Sequence, residues 1–264
     1  MILIGERING MFKDIEEAIL NRDRSRIEYW AKRQTDKGAH YLDINTGPAV
    51  AKEDQPAVME WLTKVAQSVS PLPCCLDSAS PDAIEAGLKV HRGKAIINST
   101  TADEWKMDIY FPMAVRYNAY LIGLTMNEKG VPKSAAERVT LAVELTVGAD
   151  LHNLPLEDLI IDPLVLPTNV AQDHGPEVIE ALRQVKVLTD PPLRTVIGLS
   201  NVSQRCAERN LLNRTYMLMC MAAGLDCAIV NMDDELLVDA AAAGEILLNQ
   251  NIYCDAFLKT FRKR

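Results

Sequence analysis

Eight short apolar segments, each followed at once by a polar residue, constrain the fold of this 264-residue chain more than any other feature. Segments this short that are rich in Ile and Val and apolar on both faces are typical of parallel strands covered on each side. The polar residues at their ends are mainly carboxylates and carboxamides. With their polar ends, the segments are Ile2–Glu6, Leu42–Asn45, Cys74–Asp77, Ala95–Asn98, Leu121–Thr125, Leu159–Asp162, Val196–Asn201 and Ala228–Asn231.

The stretches between these segments carry helical patterns, so strand and helix alternate eight times along the chain. One such helix is indicated by Ser80 and Pro81, a capping residue followed by proline at the first helical position. The length fits one (β/α)8 barrel, which typically has about 250 residues. The rival open sheet normally carries a Gly-rich phosphate loop, and neither GxGxxG nor GxxxxGK[ST] occurs. We therefore predict an α/β protein with a single TIM barrel domain over residues 1–264.

Charge and hydropathy narrow the class of partner. The chain has 28 Lys and Arg against 36 Asp and Glu, a net charge of −8, which disfavours binding to a nucleic-acid backbone. No apolar run approaches the roughly 20 residues of a membrane span. The N-terminus shows no signal-peptide pattern. We expect a cytoplasmic protein that binds neither membrane nor nucleic acid.

Several catalytic classes are disfavoured by what the strand ends lack. No histidine or lysine ends a predicted strand, which argues against a Schiff-base lysine, a His-ligated zinc and a Ser-His-Asp hydrolase. The six cysteines form no CxxC pair, so we expect reduced, mostly buried thiols and no intrinsic metal. The histidines are expected in loops or on the surface; the roles of His174 and Cys206, both in long loops, are left open. The four histidines are His40, His91, His152 and His174.

The strand ends instead offer carboxylates and carboxamides. Because the C-terminal ends of all strands open on one face of a parallel barrel, we expect these groups to surround one site. Together they accept and donate hydrogen bonds in a pattern that matches a flat heterocycle such as a pterin, purine or flavin. Two alternatives stay open: the strand-end residues only cap the helices that follow them, or paired carboxylates bind Mg²⁺. Such magnesium sites usually accompany phosphates, and no phosphate-binding loop is visible. The candidates are Asp77, Asn98, Asp162 and Asn201, with Glu6, Asp43 and Asn45 as further members.

Several motifs resemble those of pterin-binding barrels, a group that includes dihydropteroate synthase and the folate domain of cobalamin-dependent methionine synthase. The resemblance is strongest to the methyltetrahydrofolate:corrinoid/iron-sulfur protein methyltransferases, and it covers essentially the whole chain. Each motif alone is weak, whereas their order and spacing together are specific. The motifs are Ile4–Gly10, Leu76–Ser78, Ile97–Thr100, Ile161–Leu164, Asn169–His174, Gly198–Ser203 and Ile246–Gln250.

The resemblance assigns roles to individual residues. It implies that Asp77, Asn98 and Asp162 hold a pterin ring, and that Asn201 approaches N5 and is the catalytic residue. Further positions near the folate, or in the hydrogen-bond network that supports it, are Ser200, Gln204 and Arg209. The implied substrate is methyltetrahydrofolate, and the implied partner is a corrinoid/iron-sulfur protein of the acetyl-CoA pathway.

The corrinoid is expected to arrive on another protein. Nothing in the chain resembles the Asp-x-His-x-x-Gly corrinoid-binding motif, because Asp173-His174-Gly175 is too compressed. The resemblance also implies a homodimer, for which the apolar helices predicted over Asn213–Ala223 and Asp234–Leu247 offer a surface; the alternative is that both helices serve only the core.

The implied chemistry explains the missing nucleophile. Co(I) of the corrinoid attacks the methyl group, so the protein needs only to orient the pterin and to stabilise charge at N5. N5 must gain a proton or a strong hydrogen bond by the transition state. Two alternatives stay open: a dihydropteroate synthase-like condensing enzyme, whose diphosphate pocket would have mainly Arg7, Arg205 and Arg209, and a non-catalytic folate-binding barrel.

Overall fold

Eight parallel strands close into one barrel in the order in which they occur along the chain. The computed structural model describes residues 1–261, so the last three residues of the predicted domain, 262–264, lie outside the described residues. The predicted (β/α)8 architecture is confirmed. The strands are β1 (Ile2–Asn9), β2 (Tyr41–Asn45), β3 (Cys74–Asp77), β4 (Ile96–Thr101), β5 (Tyr120–Leu124), β6 (Leu159–Asp162), β7 (Arg194–Gly198) and β8 (Cys227–Val230).

Helices surround the barrel, and the helices predicted from Ser80, Asn213 and Asp234 begin at Pro81, Arg209 and Glu235. Ser80 accepts from the Ala83 N–H, and Ser134 forms a capping box with Glu137, so local sequence sets where these helices begin. The sequence also predicts a last amphipathic segment over Tyr253–Arg262, and its final residue lies outside the described residues. The helices are α1 (Lys13–Leu20), α2 (Arg24–Asp36), α3 (Gln55–Val69), α4 (Pro81–Val90), α5 (Glu104–Tyr117), α6 (Ala135–Leu151), α7 (Thr168–Ala171), α8 (His174–Val185), α9 (Arg209–Ala222), α10 (Glu235–Leu247) and α11 (Phe257–Phe261). Across residues 1–261, none of them has the length and apolar character of a membrane span.

Side-chain alternation along the strands decides what reaches the mouth of the barrel. Ile4, Ile96, Ile160 and Val196 are buried together and fill the barrel interior. Since side chains two residues apart in a strand point the same way, the residues two positions further along face the same interior at its C-terminal mouth. Those residues are Glu6, Asn98, Asp162 and Gly198.

Three strands depart from their predicted ends by three residues: β4 runs on to Thr101 instead of ending at Asn98, β7 ends early, and β1 runs longer. β7 ends at Gly198, and Leu199–Asn201 form a short 3-10 turn rather than more strand. β1 instead continues to Asn9 through an irregular register. The carboxamide of Gln34 accepts from the Arg7 N–H at 2.9 Å and so replaces the missing ladder hydrogen bond.

Candidate active site at the barrel mouth

A row of polar side chains crosses the ends of β2, β3 and β4. Asn45, Asp77 and Asn98 are neighbours in the strand register. The Asn45 carboxamide donates from Nδ2 to Oδ2 of Asp77 at 2.6 Å. One layer deeper, Asp43 accepts from Nδ2 of Asn98 at 3.4 Å. These contacts hold the Asp77 carboxyl and the Asn98 carboxamide side by side.

Asp162 forms a second acidic point at the mouth, at the end of β6. Its side chain is buried, and Oδ1 accepts from the Leu164 N–H at 2.7 Å. Burial raises the pKa of Asp162 to about 7, against the opposing effects of the Leu164 hydrogen bond and the positive charge of Arg138. The carboxyl therefore changes protonation near neutral pH.

The other carboxyls of the mouth are also shifted toward their protonated forms. Burial raises the pKa of Asp77 to about 6, and the hydrogen bond from Asn45 opposes the shift. Burial, followed by the charge of Asp77, raises the pKa of Asp43 well above its ordinary value. Burial also raises the pKa of Glu6, although Ser200 and Arg209 counteract it. A cluster of this kind is a candidate for both binding and proton transfer.

The turn after β7 carries the predicted catalytic residue. Asn201 is exposed, and its carboxamide nitrogen lies 2.9 Å from the point where a Cβ on Gly198 would stand. Ser200 Oγ donates to Oε1 of Glu6 at 2.9 Å. Arg209 donates through Nη2 to the Ser200 carbonyl and through Nε to Ser203, both at 3.2 Å. Arg209 therefore supports the turn on which Asn201 stands.

A cavity of about 370 Å³ opens beside this turn, between the ends of β7, β8 and β1. Glu6 lines it, and so do four further predicted site residues, Ser200, Asn201, Gln204 and Arg209. The other three, Asp77, Asn98 and Asp162, belong to the same mouth but lie outside this cavity, on the β3 to β6 side. The structure thus divides the predicted residues into one group that lines this cavity and a second group at the ends of β3, β4 and β6.

His174 corrects an expectation from sequence. It was expected in a loop or on the surface, yet it is buried at the start of α8 and its Nδ1 lies 3.0 Å from Nη2 of Arg138. Arg138 is fully buried and also donates to the carbonyls of Pro163 and Lys133, at 2.8 and 2.7 Å. Through these contacts Arg138 connects the loops after β5 and β6 with the start of α8, next to Asp162. His174 therefore has a structural role.

Sequence reasoning did not identify Arg138 or four carboxamides of the cavity, Asn9, Asn210, Asn213 and Asn231. Asn231 follows the eighth strand and could have been found by the same rule as Asn98. Arg138 and Asn213 lie within helices, where the sequence carries no signal that separates a buried polar residue from an exposed one. The remaining open residue, Cys206, is half-buried, and its sulfur lies 3.9 Å from the Gln204 carbonyl.

Within residues 1–261, no three His, Cys, Asp or Glu side chains are grouped to hold a metal ion. The absence of an intrinsic metal stays a prediction. Asp77 and Asp162, whose pKa values burial raises to about 6 and about 7, stand with carboxamides in a set of hydrogen-bonding groups that suits the edge of a flat heterocycle.

The family follows from comparison with known proteins. A profile described as "Pterin binding enzyme" matches residues 13–231, and the chain belongs to this family of pterin-binding enzymes. Over 269 aligned residues it is 28% identical to the methylcorrinoid:tetrahydrofolate methyltransferase of Eubacterium limosum, covering 100% of this chain and 97% of that protein. It is 31% identical to methionine synthase of Mycobacterium tuberculosis over 88% of this chain, which spans only 20% of that longer protein.

Solved structures show the same architecture. Dihydropteroate synthase from Xanthomonas albilineans with 4-aminobenzoic acid superposes with a TM-score of 0.72, covering 94% of this chain and 92% of that one. The same enzyme in complex with 7,8-dihydropteroate gives a TM-score of 0.69. Sequence identity is 17% in both cases, so the likeness concerns the fold.

Proposed function

We propose that this enzyme transfers a methyl group between N5 of tetrahydrofolate and the cobalt of a corrinoid. The observation that carries the proposal is the arrangement of the mouth: Asn201 stands on the turn after β7, and the carboxyls of Asp77 and Asp162 end β3 and β6 of the same barrel. The name of the Eubacterium limosum relative gives it methylcorrinoid and tetrahydrofolate as substrates, which supports the same pair here.

The carboxyl side of the mouth suits the pterin ring. The ring presents N–H and amino donors along one edge and a carbonyl acceptor beside them. Ionised Asp77 and Asp162 would accept from those donors, while the Asn98 carboxamide can both donate and accept. Binding through charged, buried hydrogen bonds fixes the ring in one orientation, which directs N5 toward the turn after β7.

Asn201 then acts on N5, the atom from which the methyl group is transferred. In the direction away from folate, the methyl–N5 bond breaks, its electron pair stays on N5, and N5 takes up a proton while the methyl group passes to the corrin cobalt. The cobalt supplies the nucleophile in its Co(I) state. A hydrogen bond from the Asn201 carboxamide to N5 stabilises the growing electron density there. A carboxamide is no acid at neutral pH, so the proton comes from water or from the carboxyl groups of the mouth.

We extend the proposal to the protein that carries the corrinoid and to the oligomeric state of the enzyme. We assign the corrinoid to a corrinoid/iron-sulfur protein of the acetyl-CoA pathway and place the reaction in the cytoplasm. The homodimer would use α9 and α10, where Leu218, Met219, Leu236 and Leu247 keep 38 to 83% of their surface exposed. This surface lies on the outer helices and leaves the mouth free for the corrinoid protein.

A condensing enzyme of the dihydropteroate synthase kind remains the competing function. Its diphosphate leaving group needs free cationic donors near the pterin. In the cavity beside the turn, Arg7 is engaged by Asp14 at 2.5 Å and Arg209 by Ser200 and Ser203. No lysine belongs to the described lining of that cavity. These contacts favour methyl transfer.

One assay separates the candidate functions. The protein is mixed with methyltetrahydrofolate and cob(I)alamin, and the loss of Co(I) absorbance is followed. Methyl transfer with multiple turnovers supports the proposal. Condensation of a pterin diphosphate with 4-aminobenzoate, without methyl transfer, would establish the competing enzyme, and folate binding without either reaction would indicate a binding protein. Repeating the assay with purified corrinoid/iron-sulfur protein tests the finer assignment.

A further inference from the structure

The cavity beside the turn after β7 is lined by an unusual number of primary carboxamides. Six of its lining side chains are of this type, and they come from β1, the β7 turn, α9 and the end of β8. Carboxamides are neutral and offer two donors and one acceptor oxygen each. A cavity lined by so many carboxamides favours a ligand that is itself neutral and rich in hydrogen-bonding groups. The six are Asn9, Asn201, Gln204, Asn210, Asn213 and Asn231.

Two buried atoms on residues of this lining lack partners among the described residues. Asn213 is 6% exposed, and its Oδ1 is a buried acceptor without a hydrogen bond. Nη1 of Arg7 is a buried donor that also lacks a hydrogen-bond partner among the described residues. Buried polar atoms without partners are rare and costly, so each calls for a ligand or a function.

Three of the five charged side chains of the cavity, Arg7, Asp233 and Asp234, are in ion pairs, while Arg209 is held by Ser200 and Ser203 and Glu6 by Ser200, which disfavours an anionic ligand. Asp233 accepts from Arg33 at 2.7 Å, and Asp234 is held by Arg214 through three contacts of 2.5 to 3.0 Å. The Arg7 guanidinium is bonded to Asp14 and stacked between Phe12 and Trp30, at 4.1 and 4.2 Å from the ring centroids. Few charges are left to attract a carboxylate.

We infer that this cavity receives the edge of the corrin ring through the acetamide and propionamide groups on its rim. The inference rests on the proposed function and adds the surface on which the second substrate is held. The cavity includes Asn201, so a corrin edge seated there would bring the metal close to the methyl group on N5. At about 370 Å³ the cavity takes an edge with its amides rather than the whole macrocycle.

Binding of free corrins tests this directly. The probes are cobinamide, which keeps the amide groups and lacks the nucleotide loop, and the heptamethyl ester of cobyrinic acid, in which esters replace the amides. We expect saturable binding of cobinamide to the folate-loaded enzyme in equilibrium dialysis, and at least tenfold weaker binding of the ester. The absence of saturable cobinamide binding at millimolar concentration, or equal binding of both probes, would overturn the inference.

Substitutions of the cavity carboxamides test whether the corrin binds in this cavity. The double variant Asn210→Ala/Asn231→Ala should raise the dissociation constant for cobinamide about tenfold, the scale of two lost hydrogen bonds. Asn213→Leu should act in the same direction; the double variant keeps the test valid if this buried substitution prevents folding. The control is Asn169→Ala, an exposed carboxamide in α7 outside the cavity, which should leave binding unchanged.

Two results would show that the cavity does not hold the corrin. Wild-type methyl transfer to cob(I)alamin, with unchanged corrin binding and an unchanged corrin KM in the double variant, overturns the inference and leaves the proposed function standing. Weaker binding of methyltetrahydrofolate by the double variant, with unchanged binding of 5-methyltetrahydropterin, would assign the cavity to the aminobenzoylglutamate tail and also overturn the corrin assignment.

Discussion

Ser200 and Glu6, 194 residues apart in the chain, are joined by a hydrogen bond of 2.9 Å from Oγ to Oε1. The bond connects the turn after β7 with the middle of β1 and passes over β8, which lies between them in the barrel. Because the same turn carries Asn201, closure of the barrel contributes directly to the position of that carboxamide. Preorganised donors of this kind are the main means by which enzymes stabilise developing charge.

Gly198 leaves the space that Asn201 occupies. A Cβ at this position would stand 2.9 Å from the Asn201 carboxamide nitrogen. We predict that Gly198→Ala displaces the carboxamide and lowers the single-turnover rate of methyl transfer by roughly 10- to 100-fold. Folate affinity should change only a few-fold. The matched control is Gly175→Ala, where the nearest atom to the new Cβ lies at 3.8 Å; equal rates for the two variants would contradict the prediction.

Asp77→Ala and Asp162→Ala should act mainly on folate affinity. A buried carboxylate that pairs with ring donors holds the substrate equally in the ground state and the transition state, so its loss weakens binding more than it slows the bound complex. Asn98→Ala should have a milder effect. Calorimetric titration with methyltetrahydrofolate measures the change, and an unaltered dissociation constant for either aspartate variant would show that its carboxylate does not hold the pterin.

The raised pKa of Asp162, at about 7, makes the stability of the free enzyme depend on pH. The folded state keeps this proton up to about pH 7, whereas the unfolded chain loses it near its ordinary value. The stabilisation is thus fully present at low pH and is lost as the pH rises through the folded pKa, by roughly 4 kcal/mol if the whole shift is realised. Urea unfolding from about pH 5 to about pH 8 should show this decline, and Asp162→Asn should reduce it.

Folate binding should show the opposite dependence on pH. Since the pterin needs the ionised carboxylate, the affinity of the wild type should fall about tenfold for each pH unit below 7. Below that pH the free enzyme takes up a proton at Asp162, and it must lose this proton before it binds the pterin. A dissociation constant that stays constant between about pH 8 and about pH 5 would exclude ionised Asp162 as the acceptor.

Arg138 should contribute strongly to stability although it lies outside the site. Arg138→Met removes the donor to Pro163, Lys133 and His174 and leaves buried acceptors without partners. We expect a loss of about 3 kcal/mol or more in the free energy of unfolding. Arg183→Met, at an exposed ion pair with Glu180, should cost less than about 1 kcal/mol. Similar losses in both variants would contradict the role given to Arg138.

Sequence patterns were sufficient for the barrel and for the carboxyl side of the mouth. Strand burial and the polar residue after each strand are local features, so Asp77, Asn98 and Asp162 could be found without coordinates. His174 could not, because its burial depends on Arg138, 36 residues earlier in the chain. Asn213 belongs to the same category, since a carboxamide in a helix shows its burial only when the packing partners are known. The end of β7 was predicted too late because Leu199 continues the apolar pattern into the 3-10 turn.

In the proposed reaction Asn201 stabilises N5 as the methyl group leaves, and one measurement tests this role most directly. Asn201→Ala, loaded with methyltetrahydrofolate, is mixed with excess cob(I)alamin in a stopped-flow instrument, and the single-turnover rate is compared with that of the wild type. We predict a loss of roughly 100-fold or more, the scale for removal of one transition-state donor. A variant that binds folate and transfers the methyl group at nearly the wild-type rate would contradict this role of Asn201.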